Sequence, residues 1–600
     1  MAILSFLNEW RLLRFGDCLN VIGISVGHNA TVALIKDGLL CCSISEEKFT
    51  NVKNTFGFPI NSMKYLMDEY GLAPSNVDSL VFSNLNNGSS LEWRKPPTIE
   101  ESKYISPKYA ALCTLTRHLP GFHNIHREIN HRRAAWRDSA SQAAMRRLMS
   151  EKFGFRQSQV LFIHHHLAHA YGPLGFFNLL KSSEPVLVIT QDGMGDTLAG
   201  TVGIYCGGKY ELKDTTDAFD SVAMIYGSMT THMGMMIMEH EYKIMGLAPY
   251  PSEKYGLKLY ESKFADLADV RDGKVRLKVK TTNPVDFAQH LLKERMWGER
   301  FDNIAFALQH FVEEKMAEFV LENVRKYRIG KVAFGGGLFM NVKLNKKIQE
   351  LEEIEQCYFM PSSGDESLAL GAAFQVISAG GESAKSDEST YLGKEYDRGG
   401  IEKYLAENGL EKKYEVTRHK NPEAEVASLL SEGKIVGRFC GRGEWGARSL
   451  GNRAILGDPS SLDTVEIVNH AIKSRDFWMP FAPSILDSSF EKYALVNRKA
   501  HPYYMITSFD STADGQKEMK AALHRKDKTM RPNVVIPGQN GKYHRLLESY
   551  MKKSGIGGVL NTSLNIHGYP LVGFIPELFF TMDNSGLSYA QCEEFIIRKR

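Results

Sequence analysis

Four histidines fall within six positions of the segment HHHLAHAY, His164–Tyr171, in a chain that has only 19 of them. His165 and His169 are four residues apart, so on a helix they share one face. Two neutral imidazoles at this spacing form a good two-point grip for a metal ion. The zinc-protease motif H-E-x-x-H would need glutamate at position 166, where this chain has histidine. The spacing therefore predicts a metal site of another kind.

Two imidazoles rarely complete a metal site, and acidic residues at glycine turns are the natural further ligands. Asp192 and Asp196 lie in QDGMGD, and Asp365 lies in PSSGDESLALGAA, each after an apolar run typical of a strand. The alternative for each is a turn-forming aspartate that accepts hydrogen bonds from its own backbone. The residues alone leave both interpretations open.

The elements that must position these residues have the pattern of an α/β protein. Three apolar runs, Val21–Val26, Thr31–Ile35 and Leu39–Ser45, are separated by Gly-His-Asn and Lys-Asp-Gly, which predicts a three-strand meander. Residues 186–212 repeat the pattern. Two such units predict a duplicated domain with a cleft between its halves, the plan of actin-like ATPases, although two unrelated meanders would give the same pattern.

Two further strands lead into candidate site residues. Val160–Ile163 leads directly into the histidines, and Pro173 predicts that the helix carrying them is short. Residues 331–348, KVAFGGGLFMNVKLNKKI, predict a strand, a three-glycine turn and a helix. Backbone amides at such a junction suit an anion or the ribose of a nucleotide. The alternative is that glycine is needed there for steric reasons only.

A chain of 600 residues is too long to fold around a single hydrophobic core, so several domains are expected. The segment SAGGESAKSDESTY, residues 378–391, is small, polar and without apolar periodicity, which indicates the main boundary. We therefore expect four segments: an extension over 1–19, a first domain over 20–378, a linker over 379–391 and a second domain over 392–600.

Composition excludes several other classes of protein. The net charge of +3 gives no global reason to bind nucleic acid or membrane, and no apolar run approaches the ~18 residues of a membrane helix. The apolar start of the chain is broken by Glu9 and Arg11, unlike a signal peptide. The 8 cysteines include no C-x-x-C pair, so zinc ribbons and disulfide frameworks are not expected. We expect a cytoplasmic protein.

The basic stretch 124–152 is interpreted as a solvated helical face, with a cap for an anionic substrate as the alternative.

Ten collinear motifs resemble the O-carbamoyltransferases of the NodU/CmcH family, which include the tobramycin enzyme, over about residues 20–590. In order, the motifs are GISVGHNATVALIKDG, SEEKFTNVKNTFGFP, HHHLAHA, DGMGD, EYKIMGLAPY, FGGGLFMN, SSGDESLALGAA, GRGEWGARSLGNRAILGDP, KSRDFWMPFAPSIL and NTSLNIHGYPLV. The resemblance implies an α/β protein with two catalytic domains. The first would be an actin-like (ASKHA) domain similar to the metal-dependent transferase of tRNA threonylcarbamoylation. The second would be a YrdC-like domain with a twisted open α/β sheet.

The resemblance also implies the reaction. Carbamoyl phosphate and ATP, the latter with Mg²⁺, would form carbamoyl-adenylate in the second domain. The first domain would transfer the carbamoyl group to an acceptor hydroxyl beside a divalent metal, expected to be Fe²⁺ with Zn²⁺ or Mn²⁺ as alternatives. Its implied ligands are His165, His169, Asp192 and Asp365. His164 and His166 would then orient a ligand or simply pack.

Other residues match functional positions of the family. His28 is the implied general base, since imidazole titrates near neutral pH, and the alternative is a turn histidine bonded to backbone. The implied nucleotide contacts of the first domain are Glu241, Lys243, Gly335, Gly336, Gly337 and Asn341. The implied carbamoyl phosphate and ATP contacts of the second domain are Arg448, Arg453, Lys473, Arg531, Ser563 and Asn565.

Two positions depart from the family pattern. Met479 stands where many members have arginine before Pro-Phe-Ala-Pro, and Asn533 replaces a glutamine. The phosphate contact of that arginine is either missing here or supplied by Arg475. The expected partner is a small hydroxylated acceptor of unidentified structure, with no nucleic acid or membrane, and a homodimer is left open. One alternative is a tRNA threonylcarbamoyladenosine-type enzyme. Another is a non-catalytic actin-like nucleotide-binding protein.

Overall fold

A computed structural model of the protein describes residues 19–87, 90–96, 120–278, 295–473, 475–496 and 499–600. The described chain forms two compact units. Unit 1 ends at Glu388 and unit 2 begins at Ser389, a boundary inside the segment interpreted as a linker. The short segment Glu47–Lys53, which the sequence analysis assigned to the first domain, belongs to unit 2. Residues 1–18 of the expected extension lie outside the described residues.

Unit 1 begins with a five-stranded sheet. Its strands are β1 (Asn20–Ser25), β2 (Thr31–Lys36), β3 (Leu39–Ser45), β4 (Ser79–Phe82) and β5 (Val160–Phe162). Strands β1 to β3 form an antiparallel meander, and β4 and β5 extend the sheet parallel to β1, giving the order β3-β2-β1-β4-β5. The predicted meander is confirmed, with three strand ends shifted by one residue.

A second sheet in unit 1 has the same strand order and the same strand directions. The strands that follow β5 in unit 1 are β6 (Val186–Gly195), β7 (Leu198–Cys206), β8 (Lys209–Asp217), β9 (Ala268–Arg271), β10 (Lys274–Leu277), β11 (Lys331–Gly335) and β12 (Gln356–Phe359). The sheet order is β8-β7-β6-β11-β12, with β11 and β12 parallel to β6. Strands β9 and β10 form a separate hairpin. The second predicted meander is therefore confirmed as well.

Helices connect and cover these sheets. The longer helices of unit 1 are α1 (Ile60–Glu69), α2 (Pro120–Phe153), α3 (His165–Phe176), α4 (Val222–His232), α5 (Glu241–Leu247), α6 (Glu253–Lys263), α7 (Phe301–Tyr327), α8 (Val342–Gln349) and α9 (Leu368–Ala379). Helix α3 is buried along its whole length and packs on α9. A Cβ atom at Gly371 would lie 1.8 Å from the carbonyl oxygen of Ala168, so this approach requires glycine.

Unit 2 is built on one mixed eight-stranded sheet. Its strands are β13 (Tyr414–Arg418), β14 (Val436–Phe439), β15 (Arg453–Gly457), β16 (Ala482–Leu486), β17 (Asn533–Val535), β18 (Gly558–Ser563), β19 (Tyr589–Cys592) and β20 (Phe595–Lys599), and its longer helices are α10 (Arg398–Glu407), α11 (Pro422–Ser431), α12 (Leu462–Ile467), α13 (Pro537–Ser554) and α14 (Ile575–Asp583). The strand order is β13-β20-β19-β14-β15-β18-β16-β17.

Both faces of this sheet are covered. Ala454 and Leu456 belong to an apolar cluster that includes residues of α11 and α13, whereas Ile455 belongs to a second cluster with residues of α10 and α14. Successive residues of a strand point to opposite faces, which explains the alternation.

The described residues include no helix with the length and apolar character needed to span a bilayer. The basic stretch 124–152 lies within the single helix α2.

Candidate metal centre and anion site

Helix α3 presents the histidines directly after the buried strand β5. His164 precedes the helix in extended conformation, and its Nδ1 accepts a hydrogen bond from the backbone amide of His166, as an N-cap does. The helix continues through Pro173, so the prediction of a short helix was wrong. A proline at this position cannot donate to the carbonyl of His169, and the backbone of Gly335 packs there instead, where a Cβ would lie 2.2 Å from that oxygen.

His165 and His169 face two carboxylates from different strand ends. Asp192 comes from β6 and Asp365 from the turn after β12. Nε2 of His165 lies 3.3 Å from Oδ2 of Asp192 and 3.9 Å from Oδ1 of Asp365. Nε2 of His169 lies 3.9 Å from Asp192 and 3.8 Å from Asp365. The four ligand atoms lie within 4.8 Å of one another, so the structure brings together all four residues predicted as ligands.

This geometry fits one bound cation. Ligand atoms ~2.1 Å from a tetrahedral ion are ~3.4 Å apart, close to the separations observed here. Nε2 of His169 is buried and has no hydrogen-bond partner within the described residues, although its lone pair or proton is costly to leave unsatisfied. A metal ion would satisfy it. Two imidazoles and two carboxylates can hold iron, zinc or manganese, and the donor set does not select among them.

The electrostatics of the four residues also favour positive charge at their centre. Burial alone would lower the pKa of His165, but its hydrogen bond to Asp192 and the negative charge of Asp365 raise that pKa to about 9. Burial and the charge of His165 lower the pKa of His169 to about 4. The pKa of Asp192 is held below its usual value despite burial by the His165 hydrogen bond. One positive charge is therefore held among two carboxylates, where a divalent ion would replace the proton.

The other two histidines of the cluster do not face the carboxylates. His166 is fully buried, with Nδ1 3.0 Å from the hydroxyl of Thr190 and Nε2 3.1 Å from the carbonyl oxygen of Leu198. Burial, followed by the neighbouring histidine charges, lowers its pKa well below the usual value, so it is neutral. His164 caps the helix. These contacts favour packing and capping for the pair.

The three-glycine turn packs against the candidate metal ligands. The amide of Gly337 donates to Oδ1 of Asp192 over 2.8 Å. Gly336 has a φ of 100°, and a Cβ there would lie 2.3 Å from the carbonyl oxygen of Gln191. The nucleotide contact that the resemblance implies for these glycines and Gly335 stays a prediction. The observed contacts account for all three by close packing and by orientation of Asp192.

Two residues of QDGMGD support His165 in a way that the sequence analysis missed. The backbone of Gly195 lies against the imidazole, since a Cβ at this position would be 2.1 Å from Cδ2 of His165. Asp196, predicted as a possible ligand, has a carboxylate oxygen 2.8 Å from the backbone amide of His165. The second aspartate of the motif therefore anchors the start of α3, while the first faces the candidate metal position.

The remaining residues predicted for the first domain lie in different surroundings. Nδ1 of His28, in the β1–β2 turn, is 3.8 Å from Oδ2 of Asp365. Glu241 begins α5 and accepts from the amide of Met238 over 2.7 Å, and Lys243 is buried in the same helix. Asn341 accepts at Oδ1 from the amide of Leu344 to cap α8 and forms further hydrogen bonds with Gln309. The Asn341 side chain is thus engaged within the protein.

In unit 2, three of the predicted residues meet at the end of β18. The buried ammonium group of Lys473 donates to the carbonyl oxygen and hydroxyl of Ser563 and to Oδ1 of Asn565. Burial, followed by the charges of Arg475 and Lys53, lowers the pKa of Lys473 well below its usual value. Within the described part of the chain, Lys473 has no carboxylate partner.

Several cations share this environment. Burial and the like charges of Arg448 and Arg475 lower the pKa of Arg531 well below its usual value. The described residues provide no ion pair to Arg531. An anion would offset the mutual repulsion of these partly desolvated cations, so this group is a candidate anion site. Met479 is buried, and Arg475 donates to the hydroxyl of Thr562 over 3.5 Å, while its phosphate contact stays a prediction.

Arg453 does not belong to this group. It is fully buried, and its guanidinium donates to four backbone carbonyl oxygens, those of Lys394, Cys440, Gly441 and Asn452. It also lies 3.8 Å from the centre of the Phe439 ring. Both terminal nitrogens are engaged by these carbonyl oxygens, whereas Nε is buried without a partner within the described residues, and the phosphate contact implied for Arg453 stays a prediction. Arg453 holds the loop before β15, and Arg448 remains the arginine of that motif near the cations.

Comparison with known proteins identifies the family of the chain. The family model described as Carbamoyltransferase N-terminus matches residues 20–374, and the model described as Carbamoyltransferase C-terminus matches residues 427–599. The chain therefore belongs to the carbamoyltransferase family and is an enzyme that carbamoylates.

The individual relatives have low sequence identity to this chain. The nodulation protein NolNO of Sinorhizobium fredii is 24% identical over 583 residues, covering 96% of this chain and 79% of that protein. The 3'-hydroxymethylcephem-O-carbamoyltransferase of Amycolatopsis lactamdurans is 25% identical over 42% of this chain and 46% of its own. A crystal structure of full-length HypF, in a phosphate- and nucleotide-bound form, is 13% identical, with a TM-score of 0.31 over 62% of this chain and 56% of that one. That structural similarity is too low to support a conclusion.

Proposed function

We propose that the protein is an ATP-dependent O-carbamoyltransferase that acts on a hydroxyl group of a small molecule or sugar. Unit 2 would form carbamoyl-adenylate from carbamoyl phosphate and ATP, and unit 1 would transfer the carbamoyl group. The observation that carries the proposal is the convergence of His165, His169, Asp192 and Asp365 in the amino-terminal region of a carbamoyltransferase. The name of the cephem-modifying relative supports oxygen as the acceptor atom.

The first reaction needs a site for two anionic substrates. Lys473, Arg448, Arg475 and Arg531 supply positive charge for carbamoyl phosphate and for the triphosphate of ATP. Water attacks carbamoyl phosphate and phosphate leaves, which gives carbamate. A carbamate oxygen then attacks the α-phosphorus of ATP, and pyrophosphate departs with the electrons of the broken P–O bond. The cations stabilise the charge that develops on the leaving groups. Mg²⁺ would accompany ATP.

The second reaction needs a base for the acceptor hydroxyl. Burial alone would lower the pKa of His28, but Asp365 raises it. In its neutral form the imidazole would accept the proton. The hydroxyl oxygen attacks the carbamoyl carbon, its proton passes to His28, and AMP leaves. A divalent cation held by the four ligands, proposed as Fe²⁺ with Zn²⁺ or Mn²⁺ as alternatives, would polarise the carbamoyl carbonyl. Asp365 lies 3.8 Å from His28 and is also one of the four proposed ligands, so it would align the base with the cation.

The two folds proposed from the resemblance have structural support of different strength. The shared strand order and directions of the two sheets in unit 1 support a duplicated, actin-like domain. The mixed eight-stranded sheet of unit 2 is consistent with a YrdC-like domain. Family membership establishes an enzyme and removes the non-catalytic alternative.

The direct test supplies the full chain with ATP, carbamoyl phosphate and a panel of hydroxylated acceptors. We expect pyrophosphate release that requires both substrates. We also expect an acceptor whose mass rises by one carbamoyl group in place of hydrogen. Modified adenosine in added tRNA, with no product among the hydroxylated acceptors, would favour the tRNA-modifying alternative. Absence of pyrophosphate release would contradict the proposed role of unit 2.

A further inference from the structure

One amide side chain contacts the imidazole of His165 at the nitrogen that does not face the carboxylates. Oδ1 of Asn84, in the loop after β4, lies 2.7 Å from Nδ1 of His165. The other ring nitrogen, Nε2, faces Asp192 at 3.3 Å. Asn84 therefore lies behind the ring, where it touches a candidate metal ligand without being one.

The orientation of the Asn84 amide is fixed by a second contact. Its Nδ2 donates to the backbone carbonyl oxygen of Val26 over 3.1 Å. The carbonyl end must then point at His165, and a carbonyl oxygen can only accept a hydrogen bond. Nδ1 of His165 consequently carries a proton, and in the neutral ring the lone pair is on Nε2, the atom that faces the carboxylates.

The loop that carries Asn84 is tied to the start of α3. The carboxylate of Asp196 accepts from the amide of Leu85, the next residue, with both oxygens at 3.2 Å. It also accepts from the amide of His165 over 2.8 Å. This bridge fixes the distance between the amide and the imidazole. The other candidate ligand is held less firmly, since Nδ1 of His169 lies 3.5 Å from the hydroxyl of Ser367.

We propose that Asn84 is a positioning residue that fixes the metal-binding tautomer and ring orientation of His165. The inference rests on the proposed metal site, to which it adds a residue outside the ligand set. A metal-ligating histidine generally donates its other N–H to a fixed acceptor, and loss of that acceptor weakens metal affinity by about 10- to 100-fold. Without Asn84, the ring would have to be ordered by the metal alone.

The test measures metal affinity directly, without turnover. The metal-free full chain is titrated with Zn²⁺ in competition with a chromophoric chelator, and with Co²⁺ by its visible absorption. Asn84→Leu, which keeps the size but cannot accept a hydrogen bond, should raise the dissociation constant by about 10- to 100-fold. Asn84→Asp keeps an acceptor and should stay within about threefold of the wild type.

A matched control alters the neighbouring histidine that is not a candidate ligand. Thr190→Val removes the hydroxyl that lies 3.0 Å from Nδ1 of His166, and it should leave both dissociation constants unchanged. Wild-type affinity in a folded Asn84→Leu variant would overturn the inference while leaving the metal site intact. A wild-type chain that binds neither ion would overturn the proposed site and the inference together.

A second measurement does not depend on the folding of the leucine variant. Long-range ¹H–¹⁵N correlation spectra of the Zn²⁺-loaded wild type, labelled at histidine nitrogens, show which nitrogen of His165 carries the proton. The inference expects a protonated Nδ1 and a metal-bound Nε2. A His165 bound to zinc through Nδ1 would overturn it.

Discussion

The backbone amide of Gly337 and the carboxylate of Asp192 are joined by a hydrogen bond of 2.8 Å, which occupies Oδ1 and leaves Oδ2 to face His165. One oxygen of the carboxylate is thereby fixed by the turn after β11, and the other is free to bind a cation. A Cβ at position 337 would lie 2.7 Å from Oδ1. Glycine at position 337 therefore leaves room for the Asp192 carboxylate, and its amide orients that carboxylate.

Gly337→Ala should displace the Asp192 carboxylate and weaken metal binding by about tenfold, because the residues that orient a ligand affect affinity nearly as the ligand itself does. Competition titration with Zn²⁺ measures the effect. Gly538→Ala is the control, since a Cβ there meets nothing within 4 Å. Equal affinity in Gly337→Ala and wild type would show that the turn does not orient Asp192.

Loss of both imidazoles should separate the two half-reactions. In a variant with His165→Ala and His169→Ala, carbamoyl transfer should fall by at least about 100-fold, since the cation and its charge stabilisation are lost. Pyrophosphate release from ATP and carbamoyl phosphate should persist, because the cations of unit 2 are untouched. Chelator treatment of the wild type should give the same pattern. Transfer at the wild-type rate would refute the metal assignment.

The strands and the candidate metal ligands could be predicted from the sequence, whereas Asn84 could not. Apolar runs bounded by Gly-His-Asn and Lys-Asp-Gly identify the meanders, because strand and turn chemistry is local. The metal ligands were found from the helical spacing of two histidines and from motif position. Asn84 was not found, since its role depends on a contact across 81 positions, and an isolated asparagine in a loop has no periodicity.

Residue type does not reveal the surroundings of a buried arginine. Arg453 lies in the same motif as Arg448, and nothing local distinguishes an anion-binding guanidinium from one that satisfies backbone carbonyls. Only the tertiary structure shows that both terminal nitrogens of Arg453 donate to backbone carbonyl oxygens, while its buried Nε has no partner within the described residues. Pro173 is a second case in which local sequence does not show the tertiary surroundings. The helix continues through it, and the backbone of Gly335 packs against the carbonyl of His169 that the proline cannot bond.

Arg531→Met should increase stability while abolishing the first half-reaction. Burial and two like charges lower the pKa of Arg531, which means that folding disfavours its charge. Its removal should raise the free energy of unfolding by about 1 kcal/mol, measured by urea denaturation. Pyrophosphate release should be lost because substrate phosphate loses a cation. A destabilised variant that retains pyrophosphate release would contradict the anion site.

Arg453→Met should have the opposite effect on stability. It leaves four buried carbonyl oxygens without their donor, which should lower the free energy of unfolding by about 3 kcal/mol or more. The urea midpoint measures this loss, with Arg531→Met as the matched control. Carbamoyl phosphate affinity in the folded fraction should not change. A stable variant with weakened carbamoyl phosphate binding would restore the predicted phosphate contact.

Asp138, on helix α2, should make stability depend on pH. Burial, together with the negative charge of Asp196, raises the pKa of its carboxyl from 3.8 to about 6. The folded chain thus keeps a proton that the unfolded chain releases, and stability falls as pH rises through this window. Asp138→Asn should match the wild type below the window and exceed it above by about 1 kcal/mol, after discounting for the partly exposed carboxyl. Urea unfolding at a series of pH values measures the difference, and Glu151→Gln, exposed on the same helix, should show none. A constant offset between Asp138→Asn and wild type at every pH would refute this origin.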